Sequence, residues 1–472
     1  MELNHNSLIF LMLFILFGFF SCKRFVEIPP PSAQLVNSSV FASAETATGA
    51  QISLYSSNNM QQESYNMSLN PGLLSDELGK GFSQDATLTQ YYRNSLSSNK
   101  ISGPWITAYN YIYQVNSIIE GLYNNKNISD AIQMQLTGES KFIRAYWHFY
   151  LTNCYGDIPL ITSTDYKINS VIARSPRNLV YEQIVKDLED ARNLLNSNFV
   201  DASDTASTSE RVRPTKWAAA ALLSRVFLYT GKYDSAEILA SSIIAHSSLF
   251  DLTDSLDDVF LKNSKEAIWQ LATPLPTSRN TYDGDNFILV SAPLVYGTAN
   301  VATISSQLLN AFEYGDKRKQ HWIGSYTDLS GAIYYFPFKY KKHMSPVVTE
   351  YTMMLRLAEQ YLIRAEARAN NNDLAGAVDD LNKIRKRAGL LDYNGDMSKI
   401  AILTAVLQER RVELFVEWGH RWFDLIRTHN IDNIMPGITA LKGGSWETSD
   451  KLYPIPQSER IANPNLTQND GY

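Results

Sequence analysis

Two stretches of this chain carry residue types at spacings that suggest metal or phosphate chemistry, and neither completes a site. Glu417 and His420 form a Glu-x-x-His beside Trp418, Trp422 and Phe423, a spacing that on a helix supplies half of a carboxylate-bridged di-metal centre. The other half requires a second such pair. The only other one, Glu2 to His5, lies in an N-terminal segment with the character of a removed leader. From Gly72 to Lys80 the chain has the outline of a phosphate loop, but six residues separate Gly72 from Gly79 where four are required. Gly81 also stands where a Ser or Thr would hold magnesium. No G-x-S-x-G, H-E-x-x-H or C-x-x-C occurs. Paired carboxylates for glycoside hydrolysis remain open, because 48 acidic residues offer many pairs and the chemistry needs only a spatial separation. The residues therefore predict no metal or cofactor.

The element that must position Glu417 and His420 is Glu409–Thr428, ERRVELFVEWGHRWFDLIRT. Read as part of one helix that begins before it, it places Leu407, Leu414, Trp418, Trp422 and Ile426 on one apolar stripe. The other side carries Arg410, Glu413, Glu417, Arg421, Asp424 and Arg427 at i,i+3 and i,i+4 spacings, which predicts a solvated ionic face that neutralises itself. Gly419 interrupts the pattern. Glycine inside a helix costs about 1 kcal/mol against alanine, so it marks a break or a close backbone approach.

Composition narrows the class further. With 472 residues, 44% of them apolar, the chain can fill a sizeable core, and its 27 tyrosines can serve binding surfaces as well. A net charge of −6 without a basic stripe argues against a nucleic-acid partner. Leu8–Phe20 is an apolar run too short to span a bilayer comfortably, and Ser21-Cys22 follows it at once. This predicts a lipoprotein signal over residues 1–21, with Cys22 acylated as the first mature residue. Cys154 lies in HFYLTNCYG and reads as a buried small hydrophobe. No later segment reaches eighteen apolar residues, so the body is expected to be anchored to a membrane without crossing it.

Behind a proline-containing tether, KRFVEIPPPSAQLVNSS, helical periodicity dominates. Helices are expected in Trp105–Tyr123, with Ser102 as cap, in Thr137–Tyr155 and in Arg177–Asn196. Thr215–Ser247 fits a tetratricopeptide helix–turn–helix, with Gly231, Tyr233 and Ala236 at the turn and crossing positions. Asn372, Leu374 and Ala377 repeat those offsets after a helix at Leu355–Asn370. Two copies are too few for a solenoid, so Trp105–Tyr155 and Arg177–Tyr229 are read as degenerate units that complete about four helix pairs. Between the repeats, residues 250–346 turn rich in Thr, Ser, Asn, Gly and aromatics, with β-like runs AIWQLAT, NFILVSAP and AIYYFPFKY. An insertion of this kind on a helical scaffold is a common seat of function. Residues 438–472 read as loops.

On these residues the chain resembles the SusD/RagB family of outer-membrane lipoproteins. ERRVELFVEWGHRWFDLIRT and the terminal YPIPQSE…NPNLTQNDGY are similar to that family's most specific motifs, and RLAEQYLIRAEARANNNDLAGAVDDLNKIRKRAGL, GESKFIRAYWHFYLTNCYGDIPL and TKWAAAALLSRVFLY also look like family segments. Asp470 replaces a usual proline, and Trp418 precedes the glycine. The resemblance implies a mainly α fold on a tetratricopeptide-like scaffold with an irregular ligand-binding half, an N-terminal region over 22–240 and a C-terminal region over 260–472. It also implies a lipid-anchored position on the exterior of the outer membrane. There, such proteins capture an oligosaccharide, or in some members a peptide, and pass it to a SusC-like TonB-dependent transporter, so the resemblance implies a binding protein and not an enzyme.

Glycan capture has its own physical signature, since sugar rings stack on Trp or Tyr while polar side chains at the rim take the hydroxyls. Trp105 opens its helix after Ser-Gly-Pro and is similar in position to a sugar-stacking tryptophan of starch-binding relatives, with Ala108 where such a relative has a polar partner. Asp76, in the loop Ser75-Asp76-Glu77, is a candidate acceptor. In the insertion, Tyr282, Asp283, Asn286, Tyr296 and Trp322 are the further candidates. Against each stands the core, where an isolated aromatic in a chain with 12% aromatics is more often found.

Overall fold

The computed structural model describes residues 37–81, 85–274, 278–293 and 301–472, so Cys22 and Tyr296 lie outside the described residues. Two helices, α1 (Ala44–Tyr55) and α2 (Asn58–Leu74), lead in. The scaffold follows as α3 (Trp105–Leu122), α4 (Asp130–Tyr155), α5 (Arg177–Leu194), α6 (Lys216–Tyr229), α7 (Tyr233–Ile244), α8 (Leu357–Asn370), α9 (Leu374–Arg387) and α10 (Lys399–Glu413). Each of these eight helices packs on the next, including α7 on α8 across more than a hundred residues of insertion, as a tetratricopeptide-like stack. Three of the eight starts are set by side-chain caps: Thr215 accepts from the Trp217 N–H, Asp373 from Gly376 and Ser398 from Ala401. Ser102 contributes its carbonyl, not its side chain, to the start of α3. Gly231 and Asn372 occupy the same place in two repeat turns and both have positive φ, +69° and +66°, which explains why glycine and asparagine stand there.

The irregular half is fastened by three two-stranded antiparallel ribbons. They pair β1 (Leu78–Lys80) with β3 (Ala302–Ile304), β2 (Ala267–Leu271) with β6 (Thr352–Arg356), and β4 (Ile323–Thr327) with β5 (Ile333–Pro337). AIWQLAT and AIYYFPFKY thus hold strands, whereas NFILVSAP starts in the last two residues of a short helix, Tyr282–Phe287, and holds no strand. The strand β6 runs directly into α8, which takes Leu355 out of the expected helix. Helix α12 (Ile431–Leu441) and a short helix at Gln457–Ala462 occupy part of the tail expected to be loops. The core joins both halves. Tyr146 of α4 meets Trp269 of β2 and Trp418 edge-on at 5.7 and 5.6 Å between centroids. Cys154 is buried in it, and burial raises its thiol pKa. No helix among the described residues is long and apolar enough to cross a membrane.

The stretch Glu409–Thr428 departs from the single helix that periodicity suggests. Helix α10 stops at Glu413, residues 414–419 form a turn with positive φ at Val416, Trp418 and Gly419, and α11 (His420–Arg427) begins anew. Gly419 accounts for the break by combining φ +71° with a close approach: a Cβ there would lie 2.9 Å from Pro71 of α2. Leu414, Trp418 and Trp422 are all buried even so. The expected solvated ionic face is absent, because Arg410, Glu413 and Asp424 are buried: Asp424 pairs with Arg410 and Arg427 inside the stretch, whereas Glu413 pairs with Arg318, Arg356 and Arg387 from far away in sequence.

Candidate functional site

Glu413 is the centre of that buried charge. Its Oε1 accepts from Arg356 Nη1 at 2.6 Å and from Arg387, and its Oε2 accepts from Arg318 Nη1 at 2.9 Å. Lys339 Nζ donates to the Glu413 and Phe415 carbonyls at 2.9 Å each and also pairs with Glu417. Burial would raise the Glu413 pKa, but Arg387, Arg356 and Arg318 outweigh it and hold the carboxyl well below its usual range. Guanidiniums from β6, α9 and the insertion therefore converge on the end of α10 and lock its turn. Charge satisfied in this way is scaffold.

The same pairing decides the Glu-x-x-His. Both Glu417 oxygens are taken, by Arg356 at 2.8 and 2.9 Å and by Lys339. Burial, and then Arg225 and the other cations around it, hold the His420 pKa well below the usual imidazole value, so the ring is neutral. Among the described residues no group of three or more His, Cys, Asp or Glu side chains is placed to hold a metal.

A glycosidase needs a carboxylic acid with a raised pKa facing an open cleft. Burial pushes Glu63 up to about 7, Glu77 up to about 8 and Asp283 up to about 7. All three are enclosed. Asp283 faces a void of about 20 Å³ shared with Ser68, Lys339 and Glu417, too small for a sugar ring.

The predicted site residues fall in different settings. Trp105 is 2% exposed and packs against Tyr109 at 5.0 Å and edge-on to Tyr155 at 4.9 Å, which corrects its expected exposure at the start of a helix. The cause is Gly103, whose φ of +48° and lack of a side chain let Tyr155 and Tyr453 close in. A Cβ there would sit 2.7 Å from Tyr155 Oη. Asp76 is also buried, and its acceptors are spent: Oδ1 takes Arg421 Nε at 2.8 Å, and Oδ2 takes Arg411 at 2.8 Å and Arg421 at 3.0 Å. Trp322 is fully buried, donates Nε1 to the Leu256 carbonyl at 2.9 Å and holds Lys339 Nζ 5.0 Å from its ring centre. A buried ring offers a ligand no face, and a carboxylate held by two guanidiniums offers it no lone pair.

Tyr282, Asp283 and Asn286 share the short helix at Tyr282–Phe287. The half-buried Tyr282 ring carries the Arg279 guanidinium at 4.1 Å, itself paired with Asp285 at 2.7 Å. Asn286 donates to the Tyr282 carbonyl at 2.7 Å. Just beyond this helix, Ile288 and Leu289 form a small core with Phe336, and Tyr326, Tyr334 and Phe338 pack against it, so one face of the β4–β5 ribbon is fixed there.

The other face of that ribbon is open. Register pairs Ser325 with Tyr335 and Thr327 with Ile333, so these four side chains share it. Tyr335 is 38% exposed, Ile333 is 55% exposed, and both hydroxyl residues face solvent. A tyrosine ring with serine and threonine beside it, on a rigid ribbon, combines a stacking surface with hydrogen-bonding groups. Tyr335 is not among the sequence candidates. The signal that finds it is the period-two alternation of AIYYFPFKY, in which Tyr334, Phe336 and Phe338 point one way and Tyr335 the other.

Two family models match the sequence: one described as "Starch-binding associating with outer membrane" over residues 24–228, the other as "SusD family" over residues 334–472. The chain is 24% identical to SusD-like protein P25 of Formosa agariphila, over 98% of each chain. Its fold superposes on a SusD superfamily protein from Bacteroides vulgatus with a TM-score of 0.79 and 21% identity, covering 92% of this chain and 100% of the other. It also superposes on a laminarin-binding SusD-like protein with a TM-score of 0.72 and 23% identity, covering 90% and 99%. With both ends of the sequence matched and the whole helical stack shared, the chain belongs to the SusD/RagB family.

Proposed function

We propose that this protein is a non-catalytic glycan-binding lipoprotein of the outer membrane, which captures an oligosaccharide at the cell surface and delivers it to a SusC-like TonB-dependent transporter. The observation that carries the reading is the family match, whose N-terminal model is described as starch-binding and associating with the outer membrane. The geometry supports it in two ways. The open face around Tyr335 has the chemistry that sugar rings require, and Glu63, Glu77 and Asp283, the carboxylic acids that burial pushes up to about 7 or 8, are enclosed. On this reading Cys22 carries the acyl chains, and the sequence KRFVEIPPPSAQLVNSS that follows it serves as the tether holding the domain off the lipid.

Equilibrium dialysis of the purified chain against a panel of oligosaccharides and peptides tests the proposal, with chain lengths of the recovered ligand measured by chromatography. Retention of an oligosaccharide that is recovered intact is expected. Shortened products would make the protein a hydrolase, and retention of peptides alone would make it a peptide receptor.

A further inference from the structure

A cleft of about 710 Å³ opens where the start of α5, the end of α6 and the junction of α11 and α12 meet, apart from the β4–β5 ribbon. Its walls include Val185, Tyr229, Ile426 and Ile431, which suits the faces of a ring-shaped ligand. Its charges do not cancel. Arg427 is already paired with Glu366 and Asp424, and the carboxylates of the lining are Glu182 and Asp432, the latter also accepting from Trp446 Nε1 at 3.0 Å, so two acidic side chains stand against three basic ones.

Facing these are Arg177, Lys232 and Lys451, with His429 beside them, and none of the three basic side chains meets a carboxylate within ion-pair distance among the described residues. Lys232 lies 5.7 Å from the Phe227 ring centre. Arg177 donates Nη2 to Asn153 Oδ1 at 2.7 Å, while its Nε is shielded from solvent and has no acceptor. Arg177 is only half-buried at the cleft wall, and an oxyanion that meets the accessible part of its guanidinium gains a charge-assisted bond. In a chain of net charge −6, a concavity lined by three basic side chains without a carboxylate partner among the described residues suits an anion.

We propose that this cleft is a second saccharide site, specific for a sugar that bears an oxyanion, either a uronate carboxylate or a sulfate ester. The saccharide rests on the glycan-binding reading above; the oxyanion rests on the cleft alone. Arg177, Lys232 and Lys451 take the anionic group while the apolar wall holds the ring.

The test is calorimetric titration of the full chain, and of a Lys232→Ala/Lys451→Ala variant, with an oligogalacturonate, a sulfated oligosaccharide, a neutral laminari-oligosaccharide and a short acidic peptide. At least one anionic sugar is expected to bind, to weaken with added salt, and to lose at least tenfold in affinity in the variant at unchanged melting temperature. The carboxylate and sulfate arms show which oxyanion is preferred. The proposal is overturned if neither anionic sugar binds, if the variant binds them as the parent does, or if the acidic peptide alone responds. Binding of the neutral sugar without the anionic ones sinks this cleft and leaves the glycan-binding reading standing, whereas silence from every sugar sinks both.

Discussion

Replacing Glu413 by alanine removes the one carboxylate shared by Arg318, Arg356 and Arg387, whose side chains are all largely shielded from solvent. Each guanidinium keeps another partner: Asp316 and Glu409 for Arg318, Glu417 for Arg356 and Glu266 for Arg387. The loss therefore corresponds to breaking one buried pair, about 3–5 kcal/mol, and not to three independent losses. Unfolding entropy is about 2.1 cal/mol/K per residue near 60 °C, or about 1 kcal/mol/K for a chain of this length. The melting temperature should then fall by about 3–5 °C in calorimetry. Asp392→Ala, which removes the exposed partner of Lys386, serves as the control and should shift it by no more than about 1 °C. A Glu413→Ala protein that melts with the control would refute the view that this charge cluster holds the turn between α10 and α11.

Other consequences follow from the same structure. Burial raises the Glu77 pKa to about 8, so its protonated form stabilises the fold at low pH, and that contribution is lost as pH climbs from the unfolded value near 4.5 through about 8. Glu77→Gln should gain stability relative to the parent across that window by denaturant titration; a difference that does not change with pH would contradict the assignment. Trp105→Ala should cost about 3–5 kcal/mol as a core truncation, and a variant that keeps its melting temperature but loses sugar binding would restore Trp105 as a surface platform. Cys22→Ala should release the protein from the membrane fraction of cells, and unchanged retention would refute lipidation.

Much of the scaffold was legible because helical periodicity and turn residues are local. Gly231 and Asn372 mark equivalent turns, and Gly419 marks a break, through backbone demands that single residues reveal. The charged side of Glu409–Thr428 is only partly local: Asp424 and Arg427 pair at i,i+3 as the spacing suggests, but their burial does not show in it. Its i,i+3 and i,i+4 spacings look self-neutralising, but the partners of Glu413 come from residues 318, 356 and 387, which only the fold brings to it. Asp76 shows the same limit, because the guanidiniums that consume it lie more than three hundred residues away. For the aromatics, sequence reports a type and not an exposure. Trp105 and Trp322 are drawn into the core by Tyr155, Tyr453 and Lys339, while the smaller Tyr335 is left outside by a two-residue register.

The measurement closest to the central claim is calorimetric titration of the parent and of Tyr335→Ala with an oligosaccharide that the parent retains. Tyr335 is 38% exposed on the solvent side of the ribbon, so the variant should melt close to the parent and bind at least about tenfold more weakly, the loss of one aromatic stacking surface. Undiminished affinity in Tyr335→Ala would contradict the placement of glycan capture on the β4–β5 ribbon.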